Sequence, residues 1–192
     1  MHSTIMGVDA TTAIIVAVVA LVIVVGILAL VSRRRQSSKL QSRFGPEYAR
    51  AVETTGDKRH AEAELLQRAK RVQGFDIRRL STSDRDRFVD SWRKVQAQFV
   101  DDPMDAVAHA DALLGQVMEA RGYPVTDFEH RSADLSVDHP VVVQNYRAAH
   151  EIALRHGRGE ANTEDLRQAM IHYRALFDEL VAQVGSPEMV ES

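Results

Sequence analysis

The sequence predicts an all-α protein, in which a single N-terminal transmembrane helix is followed by a soluble antiparallel helical bundle. An uninterrupted apolar run of membrane-spanning length lies near the N-terminus. Farther along the chain, apolar residues recur at steps of three and four, which is the period of an α-helix. No segment shows the sustained apolar and polar alternation of a strand bounded by hairpin turns.

The apolar run predicts a membrane anchor that is retained. From Ala13 to Val31, each of the 19 residues is apolar or glycine. At ~1.5 Å of rise per residue the run spans ~28 Å, close to the ~30 Å hydrocarbon core of a bilayer. A cleaved signal peptide is the main alternative, and it has a basic start and a shorter apolar core. Met1–Thr12 contain no Lys or Arg, and Arg33–Arg35 occupy the place of a cleavage site.

Basic residues flank the run on its C-terminal side only. Lys and Arg near a span are retained in the cytoplasm. We therefore expect a plasma-membrane protein with its N-terminus outside the cell and its C-terminal domain in the cytoplasm. The residues expected at the headgroups of the anionic inner leaflet are Arg33, Arg34, Arg35, Lys39 and Arg43.

The remaining charge is distributed unevenly. Residues 33–79 carry 13 Lys and Arg against 6 Asp and Glu, whereas residues 80–192 carry 11 against 20. Nucleic acid is not an expected partner, because the basic segment lacks interleaved aromatic residues and the acidic body repels phosphates. The absence of cysteine from the sequence excludes disulfides, thiolate zinc sites and cysteine nucleophiles.

The basic segment should form two short helices. Phe44-Gly45-Pro46 breaks the chain, and a helix should run from Glu47 to about Thr55 and end at Gly56. Asp57 is placed to cap a second helix that reaches Val72 or Gln73. Residues 75–80 then read as a linker.

Four long helices and one short helix are predicted between residues 80 and 185. Their caps are Ser81 or Ser83, Asp102 with Pro103, Thr126 or Asp127, Ser136 or Asp138, and Asn162 or Thr163. Their buried faces are Phe88, Trp92, Val95 and Phe99; Val107, Ala110, Leu114 and Val117; Phe128 and Leu135; Val142, Tyr146, Ala149 and Ala153; and Leu166, Met170, Tyr173, Phe177, Leu180 and Val184. Residues 135–140 should turn the chain. Short connections between amphipathic helices imply antiparallel neighbours.

These patterns give five regions in chain order. They are a short extracytoplasmic tail at 1–12, a transmembrane helix at 13–32, a basic juxtamembrane helical segment at 33–79, an acidic α-helical domain at 80–185 and a flexible tail at 186–192.

No catalytic, cofactor-binding or metal-binding residue is predicted. The sequence has eight histidines, but it contains neither Glu-x-x-His nor His-x-x-x-His, the helical spacings of a metal site. Ser136, Asp138 and His139 are neighbours in sequence, but a catalytic triad is recognised by geometry, and helix caps explain them better. Arg147, Arg167 and Arg174 are expected to form ion pairs with the acidic body, or else a carboxylate site.

An alternative function rests on four residues at helical spacing. A small-ligand sensor or an enzyme would need a pocket inside the bundle. The candidate pocket residues are Tyr146, His150, His172 and Tyr173.

Several short stretches resemble a family of uncharacterised bacterial proteins. They are Arg43–Tyr48, Phe99–Pro103, Arg121–Pro124, Leu135–Pro140 and Leu166–Arg174. The resemblance covers about residues 40–180. It implies a short N-terminal membrane segment joined to a helical domain, and it implies no activity.

The sequence therefore favours a non-enzymatic protein-interaction or scaffold module at the cytoplasmic face of the membrane. The expected partners are the lipid bilayer and an unknown protein. Ala13, Ala17 and Ala20 are small residues along the span, and such spacing permits a weak homodimer through the transmembrane helix. An extracytoplasmic helical domain, anchored or secreted, is a third alternative.

Overall fold

The computed structural model describes residues 10–124 and 126–182, with side chains from residue 14 to residue 181. The described residues are 82% helix and contain no strand. Their helices are α1 (Ala10–Phe44), α2 (Pro46–Thr55), α3 (Lys58–Val72), α4 (Thr82–Gln98), α5 (Pro103–Ala120), α6 (Phe128–Asp138), α7 (Val142–Gly157) and α8 (Thr163–Ala182). Most of the predicted N-terminal tail, Val184 and the tail at 186–192 lie outside the described residues.

The chain falls into two compact units, which divide between Ser42 and Arg43. The first unit contains nearly all of α1, a helix that is long and apolar enough to cross a membrane. Its apolar side chains between Ile14 and Val31 are exposed. Exposed apolar surface of this extent is typical of a helix that lies in lipid. The helix continues through the basic residues Arg33–Arg35 before it ends.

The second unit begins with the helix break predicted at Gly45. Gly45 has a φ of +47°, and Pro46 takes the first position of α2. Gly56 ends α2 in the left-handed conformation, in which its N–H donates to the Val52 carbonyl. The Asp57 side chain caps α3 by accepting from the His60 N–H at 2.9 Å. The sequence thus correctly predicted the end of α2 at Gly56 and the N-cap of α3 at Asp57.

The core of the second unit lies among α4, α5, α7 and α8. The predicted stripe positions within the described residues are buried or half-buried, which confirms the helical periodicity. Trp92 of α4 stacks on Phe177 of α8, with ring centroids 4.7 Å apart. Tyr146 of α7 and Tyr173 of α8 are among the largest fully buried side chains.

The turn expected at residues 135–140 begins later than predicted. Residues 135–138 form the last turn of α6, because Leu135 and Val137 are both buried and this turn carries them into the core. Ser136 is inside the helix and donates to the Ala133 carbonyl at 2.6 Å, so it is not a cap. The N-cap of α7 is Val141, which makes no side-chain cap bond, so neither Ser136 nor Asp138 has the predicted capping role.

The linker at residues 75–80 packs against the end of α5. The Arg78 N–H donates to the Arg121 carbonyl at 2.8 Å. Gly122 has a φ of +93°, and a Cβ on it would lie 2.0 Å from the Asp76 carbonyl oxygen. Only glycine permits this approach of two backbone segments.

We predict that Gly122→Ala lowers the free energy of unfolding by about 2 kcal/mol or more, because the new Cβ forces the linker away from α5. Urea unfolding of the full chain in detergent micelles measures the change. Gly157→Ala is the matched control, because a Cβ there meets nothing within 4 Å. A loss at Gly122 no larger than at Gly157 would contradict the close approach.

Candidate functional site

A buried carboxylate joins three helices of the second unit. The Glu47 side chain on α2 is 1% exposed. Its Oε1 accepts hydrogen bonds from Arg147 and Gln144 of α7. Its Oε2 lies 3.8 Å from a guanidinium nitrogen of Arg68 on α3. An ionised carboxylate is buried at a tolerable cost only when its charge is paired and its oxygens are hydrogen-bonded.

A second buried carboxylate attaches α3 to α6. Asp134 is 3% exposed and accepts a hydrogen bond from the Nε of Arg71 at 2.7 Å. A second guanidinium nitrogen of Arg71 also contacts the same oxygen. Glu47 therefore links α2 to α3 and α7, and Asp134 links α3 to α6, through ionic contacts.

The arginines that bind these carboxylates also line an open cleft of about 270 Å³. We call it the arginine cleft. Its charged lining consists of Arg50, Arg68, Arg71, Arg147, Glu64 and Glu129, with His130 beside them. Arg68 also pairs with Glu64 one turn away on α3.

Positively charged side chains lie close together in the arginine cleft, and they affect one another's pKa. Burial lowers the pKa of Arg147, and the positive charges of Arg50 and Arg68 lower it further. The negative charge of Glu47 opposes both effects. Glu47 therefore stabilises the charged form of Arg147 at this buried position.

A second cavity, of about 260 Å³, lies between α4 and α8. We call it the tryptophan groove. Its apolar lining is Trp92, Phe99, Met170 and Ile171, and its polar lining is Gln96, Arg167 and Arg174. Ile171 is 47% exposed. The indole N–H of Trp92 is buried and has no hydrogen-bond partner among the described residues.

The two arginines of the tryptophan groove form ion pairs along α8. Arg167 donates from Nε to Glu164 at 2.8 Å, and hydrogen bonds from Arg167 and Gln168 lower the pKa of Glu164 to about 2. Arg174 lies 3.3 Å from Asp178. Both pairs agree with the expectation of ion pairs within the acidic body.

Arg147 differs from that expectation. Its partner is Glu47, which belongs to the basic segment at 33–79 rather than to the acidic body. In sequence, Glu47 resembles an exposed carboxylate in the first turn of a surface helix, because it follows Pro46. The position of Glu47 on its helix did indicate burial. Glu47 lies one turn before Ala51 and beside Tyr48, and both of these residues are buried.

Three of the four candidate pocket residues lie together around Phe128. The Phe128 ring stacks on His150 with a centroid distance of 3.5 Å, and it lies 4.8 Å from Tyr146. Tyr146 lies 6.1 Å from Tyr173. His172 contacts Asn145 at 2.8 Å through its Nδ1 instead.

The polar atoms of this aromatic cluster are strongly desolvated. Burial raises the pKa of Tyr146 and of Tyr173, and the nearby Asp111 carboxylate raises both further. Burial lowers the pKa of His150. The Tyr146 hydroxyl is buried and has no hydrogen-bond partner among the described residues.

The residues expected at the membrane surface are exposed. Arg33, Arg34, Arg35 and Lys39 extend from α1, and Arg43 from its last turn. Across the described ranges, no three His, Asp or Glu residues converge as a group that could hold a metal ion.

We predict that Glu47→Gln and Arg147→Met each lower the free energy of unfolding by about 3–5 kcal/mol, because each leaves a buried charge without its partner. The double variant should lose less than the sum of the two single losses, since it removes both charges together. Urea unfolding of the full chain in detergent micelles measures the cycle. The control cycle is Arg174→Met with Asp178→Asn, an exposed pair in which each change should cost under about 1 kcal/mol. Additive losses at Glu47 and Arg147 would show that the two side chains are not coupled.

Comparison of the chain with models of protein families, with curated proteins and with solved structures finds no match.

Proposed function

We propose that the protein is a membrane-tethered, non-enzymatic binding module. In this proposal α1 anchors an antiparallel helical bundle at the cytoplasmic face of the plasma membrane, and the bundle binds another protein. The observation that carries the proposal is the tryptophan groove, a largely apolar cavity that stays open on the surface of the domain beside its hydrophobic core.

The lining of the tryptophan groove indicates the chemistry of the partner segment. Trp, Phe, Met and Ile side chains provide apolar contact area, and aromatic residues with Met are enriched at protein interfaces. Arg167 and Arg174 add positive charge beside that surface. The complementary occupant is an amphipathic segment whose apolar residues enter the groove and whose acidic residues meet the two arginines.

The aromatic cluster around Phe128 favours this function over a small-ligand pocket at the predicted site. Phe128 contacts both Tyr146 and His150 directly. A well-packed ring cluster of this kind contributes stability to the core.

The proposed orientation rests on the charge around α1. The basic side chains Arg33–Arg35 and Lys39 follow the apolar part of the helix and are exposed. Basic flanks of this kind stay in the cytoplasm during insertion. They also attract the anionic lipids of the inner leaflet, by about 1 kcal/mol for each residue near the surface.

We predict that a tag after Ser192 is protected from protease in intact spheroplasts and is digested after the membrane is permeabilised. The expected protection follows from retention of the basic flank on the cytoplasmic side. In a variant with Arg33, Arg34 and Arg35 replaced by Gln, the protease should digest the tag in a larger fraction of molecules. Digestion of the tag in intact spheroplasts would place the domain outside the cytoplasm and would contradict the proposed orientation.

We predict that a photo-crosslinking residue at Gln96 forms an adduct with one partner protein in living cells, because Gln96 lines the tryptophan groove. Arg174→Glu should reduce the yield at least fivefold, since it places a negative charge where the acidic partner segment binds. Mass spectrometry of the adduct identifies the segment that was captured.

Arg93→Glu is the matched control for this experiment. Arg93 also forms an exposed ion pair within its helix, at 2.8 Å from Asp90, but it does not line the groove. Its crosslinking yield should be unchanged. Capture of a second copy of this chain, capture of a segment without acidic residues, or an equal loss in both variants would contradict the proposed function.

A further inference from the structure

The arginine cleft belongs to a different face of the domain from the tryptophan groove, with no lining residue in common. Four arginines and two glutamates are its charged lining residues. The surface lining therefore carries four positive and two negative charges. Glu47 and Asp134 are buried and do not line the cleft, and with them four carboxylates balance the four arginines.

Three of the four guanidinium groups are held in position by carboxylates. Glu47 binds Arg147 and Asp134 binds Arg71, whereas Arg68 donates a hydrogen bond to Glu64 and lies 3.8 Å from Glu47. A guanidinium carries five N–H donors. Arg147 donates one hydrogen bond to Glu47, and Arg71 donates two to Asp134. Each arginine thus keeps further donors, and its orientation is set before any ligand arrives, which lowers the entropic cost of binding.

Arg50 has a different environment. It is exposed, it lines the cleft from α2, and it has no ion-pair partner among the described residues. Its positive charge repels that of Arg147 across the cleft. An anion between the two side chains would remove this repulsion, because it would be attracted by both.

We propose that the arginine cleft binds the phosphate group of a small phosphate ester. Guanidinium groups match phosphate oxygens with paired hydrogen bonds, and several guanidiniums around one anion are typical of phosphate sites. The volume of about 270 Å³ lies just below the range of drug-sized ligand sites, which starts at about 300 Å³, and it therefore suits a small ester. Glu64 and Glu129 are placed to accept hydrogen bonds from hydroxyl groups of the ester. The phosphate group belongs either to a soluble ester or to a lipid headgroup.

The test uses the full chain in nanodiscs and follows thermal unfolding of the helical domain. Inorganic phosphate and glycerol 3-phosphate are titrated into phosphatidylcholine nanodiscs, with sodium chloride holding the ionic strength constant. A parallel set of nanodiscs contains phosphatidic acid. A ligand that binds only the folded state raises the midpoint temperature of unfolding. We expect this rise, and we expect Arg50→Gln to weaken the apparent Kd at least tenfold.

Arg50→Gln leaves both buried carboxylates with their partners, so this variant should fold. Arg59→Gln is its matched control, because Arg59 is an exposed arginine of α3 that does not line the cleft. A rise with soluble phosphate or glycerol 3-phosphate identifies a soluble ester. A rise only with phosphatidic acid identifies a lipid headgroup.

Two results would overturn the proposal. One is the absence of any rise with either phosphate source beyond the chloride and phosphatidylcholine references. The other is an equal loss of the response in Arg50→Gln and Arg59→Gln, which would reveal binding to surface charge in general. Neither result bears on crosslinking at Gln96, so the two proposals fail separately.

Discussion

Glu47 is the charge on which the arrangement of the helical unit depends. It is buried, and its oxygens are met by Arg147, Gln144 and Arg68, which come from two other helices. Without this carboxylate, Arg147 would be held at low exposure beside Arg68 with no carboxylate partner among the described residues. With it, α2 and α3 are fixed on the unit, and the guanidiniums that form the arginine cleft acquire definite positions. The same contacts thus support both the packing of the basic helices and the chemistry of the cleft.

The two cavities divide the recognition chemistry of the domain. The arginine cleft is ionic and lies where α2, α3, α6 and α7 contribute side chains, whereas the tryptophan groove is largely apolar and lies between α4 and α8. An interface built on Phe99 and Ile171 gains free energy from apolar burial, which changes little with salt. A site built on Arg50 and Arg71 gains it from charge attraction, which weakens as ionic strength rises. The domain therefore has two surfaces whose binding free energies respond differently to ionic strength.

Local sequence rules predicted most helices and several of their ends. Gly45, Gly56, Asp57 and Asp102 act as the capping rules require, because a cap depends on a few neighbouring atoms. The end of α6 was predicted too early, since burial of Leu135 and Val137 overrides the turn signal of the residues that follow. Composition alone predicted that α1 is long and apolar enough to cross a membrane, whereas its insertion and topology remain predictions.

The candidate sites were harder to predict than the helices, because they form from residues far apart in sequence. Periodicity identified Trp92 and Met170 as core positions but not that an open groove lies beside them. Histidines and tyrosines drew attention as chemical groups, yet Tyr146 and His150 pack around Phe128. The pairing of Glu47 with Arg147 depends on the docking of α2, and no local pattern encodes that docking.

The distance in sequence between Glu47 and Arg147 also bears on how the chain is made. The two residues are 100 positions apart. At a synthesis rate of about 5–20 residues per second, Arg147 is added roughly 5–20 seconds after Glu47. During that interval α2 lacks its ionic partners on α7, while α1, which precedes it, has already been synthesised. The apolar helix is therefore available for insertion before α2 acquires its ionic partner on α7.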